Sequence, residues 1–309
     1  MYSGVDTAMP NSRPSRPVVG VLWMLAAGLC FVAVTALVKT LGPRIPAVES
    51  AFLRYLIGLI LLVPMLWRMK TPQIDVKMHG LFAVRGLLHA IGVGCWFFAM
   101  TRIPLAEVTA LNYLAPVFVT VGAVVFLGET MALRRILAVV AALGGAVIIL
   151  RPGFRELSPG HIAMLCAGAV FGASYLLAKV LADRLDAAIV VAMMSVWVTV
   201  ALGPVAVLNW VTPTLGELAI LSGVAVFATA GHYMMTLALA AAPVTVTQPV
   251  TFLQLIWATL LGVLVFSEPI DLWVVLGGSV ILAAVSYMTW REAQLKRRAV
   301  TPPIPAPKY

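Results

Sequence analysis

The chain has 309 residues, 62% of them hydrophobic and only 11% charged, with a formal charge of +9. A soluble domain averages about 45–50% apolar and about 25% charged residues, so a soluble enzyme or binding module is excluded. The positive charge does not indicate nucleic acid either, because Lys and Arg stand at the ends of apolar runs and not in a patch or stripe.

Residues 1–17 are polar and Pro-rich and are expected to form a flexible cytosolic tail. Apolar runs then predict membrane helices near 18–38, 47–67, 80–100, 106–127 and 133–150, and a second set near 160–181, 186–208, 216–240, 245–266 and 271–290. Each is close to the roughly 20 helical residues that cross a hydrocarbon core about 30 Å thick. The first run follows Arg13 and Arg16 as a signal peptide would. It is too long for an h-region, however, and no small-x-small cleavage site separates it from Lys39. The strands of a barrel would alternate apolar and polar residues, and these runs do not. Residues 292–309 form a second expected tail, with Lys296, Arg297 and Arg298 near anionic headgroups. Cys30, Cys95 and Cys166 lie within apolar runs, odd in number and without metal-ligand spacing, and read as packing residues.

Orientation follows from the Lys/Arg bias of short loops. With the N-terminus inside, the outer segments hold only Lys39, Arg44, Arg102, Arg151 and Arg155, while most of the remaining basic residues fall inside. Both termini are expected in the cytoplasm.

Gly20 to Arg44 lies over Gly160 to Arg184 without a gap, and 11 of 25 positions are identical, among them Gly20/Gly160, Phe31/Phe171, Lys39/Lys179 and Arg44/Arg184. The chain is therefore read as two repeats, 18–151 with spans 1–5 and 160–291 with spans 6–10. Five is odd, so the second copy enters the bilayer from the opposite face. The fold class is all-α integral membrane, ten transmembrane helices as two inverted five-helix repeats. Inverted repeats are a recurring build of secondary transporters, with the site near the midplane where the halves meet.

Several residues stand out as candidates. On span 4, Thr109, Asn112, Tyr113, Pro116 and Thr120 share one helical face. Thr247, Gln248, Thr251 and Gln254 line span 9, with Trp257 one turn beyond. Setting Glu129 over Glu268 pairs Thr109 with Gln248 and Asn112 with Thr251, so both halves carry polar groups at matching positions. Such stripes line a cavity, or else bond across helices or back to the i−4 carbonyl. His89 and Trp96 on span 3, and His232 and Tyr233 on span 8, join the expected lining; ionisable groups inside a span mark function by default. Arg85 either serves the site or snorkels to the cytoplasmic surface.

Lys39 and Lys179 end spans 1 and 6 on opposite sides. They complement helix dipoles or form gates, Lys39 with Glu49 or Glu107. Together with Arg54, Arg85 and Glu107 they make up the expected gate or helix-end charges. Glu129 and Glu268 are expected to cap spans 5 and 10. No deep acid relay is present, and cationic and aromatic groups around a cavity poor in carboxylates suit an anionic or zwitterionic solute with an apolar or ring portion.

The ordered motifs resemble the drug/metabolite transporter superfamily, and within it the ten-helix EamA-type transporters. They are Phe31, Leu37 and Lys39 ending span 1, AFLRY with Arg54, IPLAEVTALNYLAPVFV before Glu129, LRPG at Arg151, and TFLQLIWATLLGVLVFSEP ending span 9. The resemblance implies a basket of spans 3, 4, 8 and 9, with parts of 1 and 6, around a central cavity in the inner membrane. It implies carriage of amino acids, nucleotide-like metabolites, vitamins or drugs, often outward. It calls for no enzyme activity, cofactor or metal; the partners are a small-molecule substrate and the bilayer, with a homodimer left open. Leu255 stands where Pro116 does in the first half, so a hinge is expected in the first half only. The alternatives are a membrane enzyme, for which no nucleophile or ligand cluster is visible, and a structural bundle without a central cavity.

Overall fold

The structure is a computed structural model and describes residues 16–68, 75–127, 132–182, 185, 187–242 and 244–300. Twelve helices follow in chain order: α1 (Pro17–Leu41), α2 (Ala47–Arg68), α3 (Val76–Met100), α4 (Leu105–Asn112), α5 (Ala115–Leu127), α6 (Leu133–Leu150), α7 (Pro159–Ala182), α8 (Ala187–Leu208), α9 (Leu215–Ala241), α10 (Val244–Thr247), α11 (Phe252–Phe266) and α12 (Leu272–Val300). Seven helical stretches of the described residues are long and apolar enough to cross a membrane, and Pro159–Ser174 and Leu253–Phe266 add shorter apolar helices. The helices form ten spans, because α4 with α5 makes span 4 and α10, a 3-10 turn over Gln248–Thr251 and α11 make span 9. Residues 1–15 of the first expected tail and 301–309 of the second fall outside the described residues, and α12 continues ten residues beyond the expected end of span 10, so the first half of the second tail is helical.

Local chemistry sets the boundaries. Asp75 caps α3 by accepting the Met78 N–H at 2.8 Å, and Thr214 with Glu217 forms a reciprocal capping box on α9. Gly42, at φ +64, ends α1. Pro116 breaks span 4, since it has no N–H and its ring clashes with the Asn112 carbonyl four residues back. The chain turns there at Tyr113 and Leu114. Contrary to the expectation of a hinge in the first half only, span 9 is broken too. Its break lies earlier than Leu255, in the 3-10 turn that contains Pro249.

Packing follows the repeat. α1 lies along α9 and α3 along α7, while α2 pairs with α8, α4 with α11 and α6 with α12. Every one of these pairs joins the two repeats, and exchanging the repeats converts the α1–α9 pair into α7–α3. The inverted duplication is therefore a pseudo-twofold axis. At the α6–α12 crossing the backbones meet through glycines: a Cβ on Gly145 would stand 2.7 Å from the Gly277 carbonyl, and one on Gly277 2.5 Å from that of Gly145. Close backbone approach through small residues is how helices associate where lipid removes the hydrophobic drive. Leu22, Ile60, Val140 and Leu264 are exposed and form the lipid face, while Phe97, Met100, Leu111, Leu114 and Met164 fill the centre.

Gly145→Leu should lower stability by about 1–3 kcal/mol through overpacking. Gly144→Leu, with open space around it, should be tolerated. Thermal unfolding in detergent measures both, and equal effects would show that the crossing is not backbone-tight.

Candidate functional site

The breaks in spans 4 and 9 face each other across a central cavity of about 240 Å³. Both repeats build its wall. α1 contributes Phe31 and Val34, α2 Arg54 and Tyr55, and α3 His89, Val93 and Trp96. Asn112, Tyr113 and Pro116 come from the first break, Phe171 from α7, Ala228, His232 and Met235 from α9, and Thr251 and Gln254 from the second break. These residues lie well inside their spans, which places the cavity near the midplane.

The repeat is visible in the cavity's aromatic groups. Phe31 meets His232 edge to face at 5.1 Å between ring centroids, and Phe171 meets His89 at 5.0 Å. Each phenylalanine of the duplicated pair therefore stacks on a histidine from the other repeat. His89 Nε2 is 2.9 Å from the Tyr55 hydroxyl, and its Nδ1 is 3.5 Å from Ser174 Oγ. The Tyr113 hydroxyl donates to the Thr251 carbonyl at 2.7 Å, linking the two broken spans. Carbonyls and amides freed at such breaks, together with Asn112 and Gln254, give the cavity hydrogen-bonding capacity within an apolar wall. This is the usual composition of a small-molecule site.

Of the expected lining, His89, Trp96, Asn112, Tyr113, His232, Thr251 and Gln254 converge on the cavity. Thr109 does not reach it: it is buried and donates back to the Leu105 carbonyl at 2.9 Å. Tyr233 is 59% exposed, because one residue after His232 the helix has turned about 100°. Trp257 also lies on the flank, since the buried line of α11 runs through Leu255, Ala258 and Gly262. The side chains of Gln248 and Lys179 lie outside the described residues. The sequence did not mark Phe31, Phe171 and Tyr55 as lining, although identity of the two phenylalanines in the duplicated segment was a signal.

The charges are distributed differently from expectation. Arg54 is not a helix-end group; it lies on the cavity wall with its guanidinium 3.8 Å from the Tyr55 ring centroid. Arg85 does not snorkel; it is buried and donates to the Val190 carbonyl at 3.0 Å and to Met194 Sδ at 3.3 Å. Lys39 pairs with Glu268, and not with Glu49 or Glu107, and also donates to the Ile103 carbonyl at 3.1 Å. Glu268 accepts the Leu105 N–H at 3.0 Å, so it caps α4 and not span 10, where Asp271 accepts the Trp273 N–H at 2.9 Å. Glu129 lies outside the described residues. Glu49 instead accepts the Val211 N–H at 2.9 Å.

Glu107 is chelated by Arg155 at 2.9 and 2.8 Å and meets His161 Nε2 at 2.5 Å. The Glu107 carboxylate raises the Arg155 pKa above its ordinary value. With Arg44–Glu217 and Arg151–Asp271, these pairs cluster at the end of the bundle where α1 and α3 finish. Lys39–Glu268, Glu107–His161, Arg44–Glu217 and Arg151–Asp271 each join one repeat to the other.

A bundle of apolar spans whose inverted repeats enclose an apolar-walled cavity set with hydrogen-bonding groups has the build of an integral membrane transporter. The profile of the EamA-like transporter family matches residues 18–151 and 158–290, and the chain belongs to that family. It is 29% identical to a riboflavin transporter of Rhizobium johnstonii, over 93% of this chain and 96% of the relative. It is 26% identical to an S-adenosylmethionine uptake transporter of Rickettsia prowazekii, over 88% and 93%. A pseudopaline exporter of Pseudomonas aeruginosa is 32% identical over 43% of this chain and 46% of its own length. A solved crystal structure at 17% identity shares the fold, with a TM-score of 0.59 over 89% of this chain and 99% of that one. The protein is thus a multi-pass membrane transporter of a small molecule and not an enzyme.

Lys39→Met leaves Glu268 without its cation and should cost about 2–4 kcal/mol, somewhat below the loss for a fully buried pair. Adding Glu268→Gln should recover part of that loss. Denaturation in detergent of both singles and the double measures the coupling, and strictly additive losses would contradict the pairing.

Proposed function

We propose that this transporter moves small organic solutes across the cytoplasmic membrane by alternating access, the two repeats rocking about the central cavity. It acts as an exporter or exchanger of amino-acid-like, vitamin-like or drug-like solutes, with both termini in the cytoplasm. The observation that carries this reading is the cavity itself, which is built from both repeats, together with the ion pairs that join those repeats at one end of the bundle. Under the proposed topology the ion-paired end is the outer one, taken here as closed, so that the site fills from the cytoplasmic side. Rocking that separates the repeats at this end would break Lys39–Glu268 and its neighbours and open the cavity outward. Relatives named for riboflavin, S-adenosylmethionine and pseudopaline support small organic solutes as the cargo class.

The lining residues carry the test. In proteoliposomes loaded with a metabolite panel, Asn112→Ala and Gln254→Ala should lower flux per inserted protein about tenfold, the equivalent of one buried hydrogen bond. Thr109→Val and Tyr233→Ala, which lie off the cavity, should not. Undiminished specific flux in the first pair would place the substrate path elsewhere.

A further inference from the structure

The middle of the bundle holds positive charge without negative charge. None of the chain's 12 acidic residues falls in the middle of a span, yet Arg54 and Arg85 do. Arg85 is engaged with α8 and lies beside the cavity, not on its wall. Arg54 is different. It is 7% exposed, it lies on the cavity wall, and its partner among the described residues is the ring of its own neighbour, Tyr55. No carboxylate among the described residues pairs with it. The groups that share its wall are His89, His232, Asn112, Gln254 and aromatic rings, none of which brings a negative charge.

The repeat shows that the fold does not need this cation. Carrying the gapless offset of Gly20 and Gly160 into the next span sets Met194 opposite Arg54. Met194 is buried at the corresponding place in α8, off the cavity wall and with its sulfur accepting from Arg85, so the second repeat carries an uncharged side chain at that position. A guanidinium kept in a span where the duplicated copy uses methionine is retained for what it binds. Ionised groups inside a membrane protein are costly unless paired, and a cation facing a cavity is paired by the cavity's occupant. Guanidinium geometry suits a carboxylate or phosphate in a two-pronged contact.

We propose that Arg54 is the anion anchor of the cavity. The substrate presents a carboxylate or phosphate to its guanidinium, with the ring or apolar portion between the Phe31–His232 and Phe171–His89 pairs. The empty cavity would have to occlude an unpaired guanidinium and so reorients slowly, which makes the carrier an exchanger of compact organic anions. The cavity of about 240 Å³ lies below the roughly 300–1,000 Å³ of drug-sized sites, hence the compactness. This inference rests on the transport reading for exchange, but the anchor is testable without transport.

The experiment has two arms. In detergent, thermal unfolding of the full chain is followed with matched pairs that differ in the anionic group: phenylalanine against phenethylamine, pyridoxal phosphate against pyridoxal, and flavin mononucleotide against riboflavin. The anionic member of at least one pair should raise the melting temperature and its counterpart should not, since only a ligand bound to the folded state stabilises it. The shift should vanish in Arg54→Met and persist, reduced, in Arg54→Lys, which keeps the charge and so separates binding from folding. A carboxylate or a phosphate as the responding group tells the two oxyanions apart. Equal stabilisation by a counterpart, an undiminished shift in Arg54→Met, or no shift from any anion overturns the anchor.

In proteoliposomes loaded with the responding anion, release should be at least about tenfold faster with the same unlabelled anion outside than into buffer alone, since a factor of ten is only about 1.4 kcal/mol of barrier. Equal release into both overturns exchange. No release under either condition, with the Arg54-dependent shift intact, overturns the transport reading and leaves the anchor standing.

Discussion

Each span of this protein packs against a span of the other repeat, and the remaining features depend on that pairing. An odd number of crossings inverts the second copy, and inversion brings α1 against α9 and α7 against α3. The same operation faces the breaks of spans 4 and 9 toward each other and sets Phe31 on His232 and Phe171 on His89. A bilayer offers no water to an unpaired backbone group, so a broken helix is tolerable only where it lines a cavity or is buried in protein. The central cavity is thus the place that the duplicated architecture provides for two broken helices.

The same logic governs the charges. The ion pairs where α1 and α3 finish join one repeat to the other, so they are the contacts that the proposed rocking has to break. They are concentrated at span ends, where water is near and a broken pair can be rehydrated. In the middle, where rehydration is harder, Arg54 stands on the wall of the cavity and within reach of an occupant. The cost of an unpaired ion increases with depth, and Arg54 and Arg85 stand as the exceptions to an arrangement that otherwise keeps charge at span ends.

Much of this was legible in the sequence, and the part that was not has physical causes. The ten spans follow from apolar run length, and the inversion from the match of Gly20 to Arg44 with Gly160 to Arg184. Asn112, Tyr113, Thr251 and Gln254 are legible as polar residues on a helical face inside an apolar span, but the same face argument also takes in Thr109, whose hydroxyl bonds back to the Leu105 carbonyl. The break at Pro249 does not show when Leu255 is set opposite Pro116, because the second span breaks earlier along its length. Trp257 and Tyr233 show the limit of face arguments, since a single residue step separates the cavity from lipid. Lys39 and Glu268 are 229 residues apart, and no local spacing connects them. The role of Arg54 was hidden because depth in a span does not say whether a side chain faces a neighbour, lipid or a cavity.

The most direct test of alternating access is to lock the ion-paired end covalently. Lys39→Cys and Glu268→Cys in an otherwise cysteine-free chain, joined by a short bis-maleimide, should abolish flux in proteoliposomes, while either single cysteine treated alike should retain it. Flux at the unlocked rate in the cross-linked double variant would contradict opening at this end and with it the rocking of the repeats about the central cavity.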